Sequence, residues 1–265
     1  MKTIAYQGTE GSFSHMTAER ILGATCNTKG FPTFREVFEA VEKGEVDLAL
    51  MPIENTLAGT IYETLDLMSQ GNLQIIGAAQ TQIRHSLLAL PGASVQNIRK
   101  VLSHPKALAQ CVGLFQKNPL LEAVSHYDTA GAAADVAKGK DPACAAIAHR
   151  GAAEIYGLQV LQDEIQDHQE NYTRFFLLSK EGKNEGKKWS LCFTLEHKPG
   201  SLAEALSLFA EKNVNLTYIV SRPILGRPFE YLFYVDLESS DRSFIDDLSK
   251  KTHTLKILGN YDALS

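Results

Sequence analysis

From Ile4 to about Leu178, short apolar runs alternate with segments whose apolar residues recur at helical spacing. That alternation is the pattern of strands joined by crossover helices on largely parallel sheets, and it predicts an α/β class. Ile4–Gln7 reads as a first strand and Phe34–Val41 as a helix, with Thr33 as N-cap and Gly44 just past its end. A strand over Val46–Ile53 follows. Leu73–Ala78 and Ser86–Leu90 read as further strands. Val101-Leu102-Ser103 leads into a helix whose Pro105 takes the first position, where a missing N–H removes no hydrogen bond. Asp128-Thr129 starts an Ala-rich helix.

The pattern breaks at 181–188, a polar, glycine-containing stretch between two apolar strands, which reads as a linker. Beyond it come a strand (Trp189–Leu195), a helix (Ser201–Glu211), two strands (Leu216–Val220 and Tyr231–Leu237), a helix (Phe244–Lys250) and a last strand (Leu255–Leu258). That order, βαββαβ, is the order of a ferredoxin-like unit.

Charge and composition remove several functions. With 26 basic against 31 acidic side chains spread over 265 residues, the net charge is -5 and no basic face for a phosphate backbone emerges, so nucleic acid is not an expected partner. The N-terminus has no apolar signal core and no stretch is apolar for long enough to span a bilayer, which predicts a cytoplasmic protein without a membrane partner. Cys26, Cys111, Cys144 and Cys192 form no C-x-x-C pair, so neither a zinc site nor a disulfide framework is expected. Without a secretory route, the Asn-x-Thr tripeptides at Asn171 and Asn215 are accidental matches to a glycosylation site.

Candidate chemistry lies in four polar clusters just beyond strands, where open α/β sheets present ligands to side chains and helix N-termini. Gly8–Ser14, with Ser12 and Ser14, offers hydroxyls and backbone N–H groups at a helix start; it fits an anion seat or a plain strand-to-helix turn. Pro52–Thr60 places Glu54, Asn55 and Thr56 consecutively after an apolar strand, either as ligands or as a capped turn. Ser103–Cys111 brings Ser103, His104 and Gln110 to one helix, with His104 as a ligand or as a cap. Asn171–Leu178 puts polar groups at the mouth of a strongly apolar strand, where unpaired groups are costly, which favours a functional reading. By themselves the clusters describe a cleft for a small polar anion. They do not name a reaction.

Taken in order, Gly-x-x-Gly-Ser-Phe-Ser from Gly8, Pro-Ile-Glu-Asn-Thr-x-x-Gly from Pro52, Ser-His-Pro-x-Ala-Leu-Ala-Gln-Cys from Ser103, Asp-Thr-Ala-x-Ala-Ala from Asp128 and Asn-x-Thr-Arg-Phe from Asn171 resemble the prephenate dehydratase family. The tail resembles that family's ACT domain through Lys198–Leu202, Asn215–Thr217, Ser221–Pro223 and Phe229–Asp236. The resemblance implies a two-lobed catalytic region over 1–180, similar to type II periplasmic binding proteins. Its first lobe takes about 1–77 and 167–180 and its second about 78–166; a linker at 181–188 and an ACT domain at 189–265 follow.

It also implies a reaction: prephenate loses its ring carboxylate and ring hydroxyl as carbon dioxide and water, giving phenylpyruvate for phenylalanine synthesis, with no cofactor and no metal. Thr173 is then the essential residue, hydrogen-bonded to the leaving hydroxyl, and Glu54 a supplementary acid or the support of Asn55. Asn55, Thr56, Ser103, His104, Gln110, Asn171, Arg174 and Phe175 are expected around the substrate, with Ser12 and Ser14 as the anion seat. Phenylalanine is expected as feedback inhibitor at Pro199, Gly200, Ser201, Leu202, Asn215, Leu216 and Thr217, at an interface of a homodimer or homotetramer.

Some positions depart from the family pattern. Thr9 replaces a frequent proline and Lys106 a frequent glutamine, while Ser201 replaces an alanine and Val220 the glutamate of Glu-Ser-Arg-Pro, which predicts weakened feedback. Arogenate dehydratase is the chemical alternative, and a non-catalytic small-molecule binder the alternative of another class. No chorismate mutase-like helical segment stands ahead of Met1, so a monofunctional enzyme is expected.

Overall fold

The computed structural model describes residues 1–23, 26–182, 185–224 and 226–264, so Lys183 and Asn184 of the expected linker lie outside the described residues. The chain divides into two compact units, Met1–Ile61 with Gln80–Phe175, and Tyr62–Ala79 with Phe176–Ser265. No helix among the described residues is long and apolar enough to cross a membrane.

The first sheet contains β1 (Lys2–Gln7), β2 (Cys26–Phe31), β3 (Leu48–Asn55), β4 (Gly59–Thr60), β5 (Gln74–Gln82) and β11 (Tyr172–Ser179), in the order β2-β1-β3-β11-β5, with β4 paired to β3. β1 runs parallel to both β2 and β3. Seven of the eight residues of β3 are buried, as its unbroken apolar run requires of an interior strand. The sequence pattern gave no sign of β2, which is polar and half-exposed at the sheet edge. A Cβ at Gly30 of β2 would stand 2.6 Å from the Gly8 carbonyl oxygen, so this strand can lie against the Gly8 turn only without a side chain there.

On this sheet α1 (Phe13–Leu22) starts from Ser12, and α2 (Phe34–Lys43) starts and stops where expected: the Thr33 hydroxyl accepts from the Glu36 N–H at 3.2 Å, and Gly44 ends the helix at φ 78°. β5 extends to Gln82, past the expected end at Ala78, because Ala79 continues its buried alternation.

The second sheet, β10-β6-β9-β7-β8, uses β6 (Ser86–Ala89), β7 (Lys100–Ser103), β8 (Glu122–Ser125), β9 (Cys144–Ala148) and β10 (Gln159–Gln162). It is mixed: β7 is parallel to β8 and β9, while β6 is antiparallel to β9 and β10. Pro105 opens α4 (Pro105–Ala109), α5 (Val112–Lys117) follows after Gln110 and Cys111, and Asp128 caps α6 (Thr129–Gly139) through the Gly131 N–H. α7 (Gly151–Tyr156) completes this layer.

The other unit carries β12 (Lys188–Thr194), α8 (Ser201–Glu211), β13 (Asn215–Pro223), β14 (Tyr231–Glu238), α9 (Phe244–Lys251) and β15 (Thr254–Tyr261), a βαββαβ order on a sheet ordered β13-β14-β12-β15. Its core gathers Trp189, Leu191, Phe193, Leu208, Phe209, Phe244 and Leu248 between sheet and helices. α3 (Tyr62–Gln70) belongs to this unit. Polar side chains fasten it. The Tyr234 hydroxyl donates to Leu65 O at 2.8 Å, Arg222 grips both carboxylate oxygens of Asp66 at 3.0 and 2.6 Å, and Lys256 Nζ donates to Met68 O and Ser69 O, each at 3.0 Å, and to Gly71 O. A single ammonium thus takes up two carbonyls of the last turn of α3 and that of Gly71 just past its end.

Lys256→Met keeps the length and apolar stem but leaves those carbonyls without their donor. It should lower stability by about 1–3 kcal/mol. Urea denaturation checks this, and an unchanged midpoint would contradict it.

Candidate active site

Asn55 ends β3, and its carboxamide organises the residues around it. Its Oδ1 accepts from the Leu57 N–H at 3.0 Å and the Ala58 N–H at 2.8 Å, closing the turn that leads to β4. The oxygen is therefore committed, and Nδ2 faces the start of β11, donating to Asn171 Oδ1 at 2.8 Å, Tyr172 O at 3.1 Å and Thr173 Oγ1 at 3.1 Å. These side chains are withdrawn from water: Asn55 and Thr173 are 9 % exposed and Asn171 0 %.

Each bond fixes the direction of the next. With Asn171 Oδ1 accepting, Asn171 Nδ2 is the donor that reaches Gln110 Oε1 at 3.0 Å. His85 Nε2 lies 2.9 Å from the same oxygen and so carries the proton. Thr173 Oγ1 receives from Asn55, which leaves its own hydroxyl proton free for a further acceptor.

Other expected residues take different positions. Glu54 and Arg174 face each other at 3.4 Å, so Glu54 stands as the partner of a guanidinium. Thr56 is exposed and stitches strand ends together: its N–H donates to Tyr172 O, its hydroxyl donates to Glu170 O, and its Oγ1 accepts from the Tyr172 N–H. Ser103 is fully buried and its hydroxyl donates to Ile147 O at 2.6 Å. His104 caps α4, Nδ1 accepting from the Lys106 N–H, and Lys106 is exposed. Phe175 is 1 % exposed in the core of the first sheet. The sequence groups Ser103, His104 and Gln110, but the structure gives each a separate task.

The Gly8–Ser14 turn is held from the second lobe. Thr9 donates its hydroxyl to Asp128 Oδ2 at 2.7 Å, and the Tyr156 hydroxyl donates to Glu10 O at 2.6 Å. Ser12 is buried as the cap of α1, its Oγ accepting from the His15 N–H at 3.3 Å, and Ser14 is half-buried two residues on. A cavity of about 730 Å³ opens beside this turn, lined by Tyr6, Thr9, Lys29, Tyr127 and Asp128 among others; the amide cluster does not line it.

Burial pushes the imidazoles of His85, His104 and His149 below the usual histidine range, so they are neutral near pH 7. Burial likewise raises the thiols of Cys111 and Cys192, to about 12 and about 11, so neither offers a thiolate nucleophile. Among the described residues no group of three His, Cys, Asp or Glu is placed to hold a metal ion.

The model of one family, Prephenate dehydratase, matches residues 4–183. The chain belongs to the prephenate dehydratase family. It is 41 % identical over 277 residues to "Arogenate dehydratase/prephenate dehydratase 2, chloroplastic" of Arabidopsis thaliana, covering 97 % of this chain and 72 % of that one. Prephenate dehydratase from Arthrobacter aurescens, solved in complex with L-Phe, superposes with a TM-score of 0.89 at 31 % identity, covering 98 % and 89 % of the two chains. A structure described as "GqqA, a novel type of quorum quenching acylases" superposes with a TM-score of 0.91 at 30 % identity, covering 99 % and 98 %.

Sequence reasoning missed His85, which stands alone among polar and apolar residues between β5 and β6. It missed Gln166 and Asp167 as well, whose side chains accept from the His85 N–H and from the Val112 and Gly113 N–H groups. The polar density of Gln166–Asn171 ahead of an apolar strand was the available signal for the latter two.

In the ferredoxin-like unit, Pro199 and Gly200 are exposed, with Gly200 at φ 89° where α8 begins. Ser201 and Leu202 line a cavity of about 130 Å³ together with Phe229 and Tyr231, and the Ser201 hydroxyl is buried in it without a hydrogen-bond partner among the described residues. Asn215, Leu216 and Thr217 form the start of β13 and do not line that cavity.

The depressed histidines tie stability to pH. The unfolded chain takes up protons at these positions near pH 6.5, whereas the folded chain resists them until lower pH, so stability must fall as pH drops below about 7. Thermal midpoints at about pH 7.5 and about pH 5.5 check the sign. An equal or higher midpoint at the lower pH would contradict it.

Proposed function

We propose that this chain catalyses the decarboxylating dehydration of prephenate to phenylpyruvate in phenylalanine biosynthesis. The observation that carries the reading is Thr173: Asn55 donates to its Oγ1, and its proton is left for an acceptor in the site. In this reaction the bond from the ring to its carboxylate breaks, its electron pair enters the ring, and the opposite carbon–oxygen bond breaks as the hydroxyl leaves. One proton, ultimately drawn from solvent, is consumed by the departing hydroxide, and carbon dioxide, water and the aromatic product result. The leaving hydroxyl needs a donor as its oxygen gains charge. Thr173 supplies it, and the hydrogen bond it accepts from Asn55 polarises its O–H into a stronger donor. Gln110 orients the anionic groups, Glu54 and Arg174 pair with each other on neighbouring strand positions, and the α1 start at Ser12 and Ser14 seats a carboxylate.

Arogenate, which bears an amino group where prephenate has a ketone, is the second reading, favoured by the name of the Arabidopsis relative. Comparing kcat/KM for the two substrates separates them. Amide hydrolysis is disfavoured, since the Ser103 hydroxyl donates to a backbone carbonyl and Thr173 Oγ1 is engaged by an amide rather than a base.

The ferredoxin-like unit is read as an ACT domain that takes L-phenylalanine, with the buried Ser201 hydroxyl in its small cavity as a contact, in a homodimer or homotetramer in the cytoplasm. Turnover should fall along a phenylalanine titration. A flat response would refute regulation.

Thr173→Ala should lower kcat by about 10²-fold or more while KM changes less than about threefold, because the lost interaction grows as the hydroxyl leaves. Phenylpyruvate absorbance measures it. Near-normal turnover in folded protein would remove Thr173 from this role, and a retained hydroxyl in Thr173→Ser should keep most of the rate.

A further inference from the structure

We propose that His85 is a positioning residue for the reaction, holding the Gln110 carboxamide with its oxygen turned inward so that both amide hydrogens face the anionic substrate. The inference rests on the dehydratase reading above and adds a residue to it.

His85 is 2 % exposed and its place is fixed on every side. Its N–H donates to Gln166 Oε1 at 2.9 Å, its carbonyl accepts from the Ile165 N–H at 2.9 Å, and its ring meets that of Phe13 edge to face at 5.4 Å. The next residues of the same segment fix Gln110, since the Asp167 N–H donates to Gln110 O at 2.8 Å. The main chains of His85 and Gln110 are therefore both tied to one stretch of backbone, residues 165–167.

The polarity of the contact follows from the network. Gln110 Oε1 already accepts from Asn171, so the atom facing His85 is an acceptor and Nε2 must bear the proton. Nδ1 is then a bare lone pair, buried without a partner among the described residues. An unsatisfied buried acceptor costs stability, and an apolar side chain would fill the same space without that cost. What the imidazole contributes is the Nε2–H.

With two donors on Oε1, a flipped Gln110 would set its own hydrogens against two others. The amide nitrogen is held outward, where its two hydrogens suit a carboxylate or ketone oxygen. With the other imidazole tautomer, Nε2 would draw the amide nitrogen inward instead.

The test combines His85→Leu and His85→Gln, each in the unsubstituted and Gln110→Ala backgrounds, with kcat and KM measured on prephenate and arogenate. His85→Leu should lose roughly tenfold in kcat/KM, chiefly through KM, the loss expected for one hydrogen bond. His85→Gln, which can donate from nearly the same point, should stay within about threefold. In the Gln110→Ala background His85→Leu should cost nothing further. Unchanged kcat/KM in His85→Leu, failure of His85→Gln to rescue, or an undiminished loss without Gln110 would each overturn the proposal. Nitrogen-15 NMR of the imidazole in the unsubstituted protein needs neither turnover nor a folded variant: the neutral Nε2–H ring is expected, and an Nδ1–H ring overturns it. If the protein dehydrates neither substrate, the dehydratase reading fails separately, and the ring's tautomer still decides whether the lock exists.

Discussion

Two backbone N–H groups, those of Leu57 and Ala58, set the direction of the hydrogen bonds in the amide network of the candidate site. They take both accepting positions of Asn55 Oδ1, so Nδ2 must point at β11, and the polarity passes from Asn55 to Asn171, to Gln110 and back to the proton on His85. A carboxamide is nearly symmetric in shape, and in water its two ends exchange freely. Here the turn after β3 removes that freedom. Buried amides without water to correct a wrong orientation would leave donor against donor, so a single flip at Asn55 would disrupt the whole chain of bonds.

The same economy appears where the Gly8 turn meets the second lobe. Thr9 supplies a hydroxyl at a position where the resemblance noted in the sequence leads one to expect proline, and that hydroxyl donates to Asp128, the cap of α6, whose other oxygen holds the Gly131 N–H. A proline could make no such bond. In this chain one carboxylate both starts a helix of the second lobe and ties down the turn that starts a helix of the first.

Much of the scaffold was legible because its signals are local. Thr33, Gly44 and Asp128 each mark a helix terminus through bonds made within four residues, Pro105 marks one by its missing N–H, and strands such as β3 announce themselves by continuous apolar character. β2 escaped because an edge strand need not be apolar, and α3 because its partners Arg222, Tyr234 and Lys256 lie more than 150 residues away. The site was legible in part for the same reason. Asn55, Thr173 and Asn171 stand in recognisable clusters, whereas the role of His85 arises from contacts with residues 25 and 81 positions away. Ser103 carries the opposite lesson: its place in a motif marks it for a ligand, but its hydroxyl serves a neighbouring strand.

The make-up of the site suits a reaction in which a carboxylate must leave as a neutral molecule. A cation clasping the departing carboxylate would stabilise the starting state more than the transition state, in which that charge is moving into the ring, and would slow the step. The cluster of Asn55, Asn171, Gln110, Thr173 and His85 carries no formal charge near pH 7, since burial keeps the imidazole neutral. Arg174 is the cation of the neighbouring strand position, and Glu54 faces it at 3.4 Å. On the proposed chemistry, neutral donors hold the oxygens that remain on the product, the hydroxyl of Thr173 follows the one that departs as water, and the departing carboxylate is best served by surroundings that solvate it poorly. A largely buried amide network of fixed polarity provides both conditions together: directional donors without net charge, in a place with little access to water.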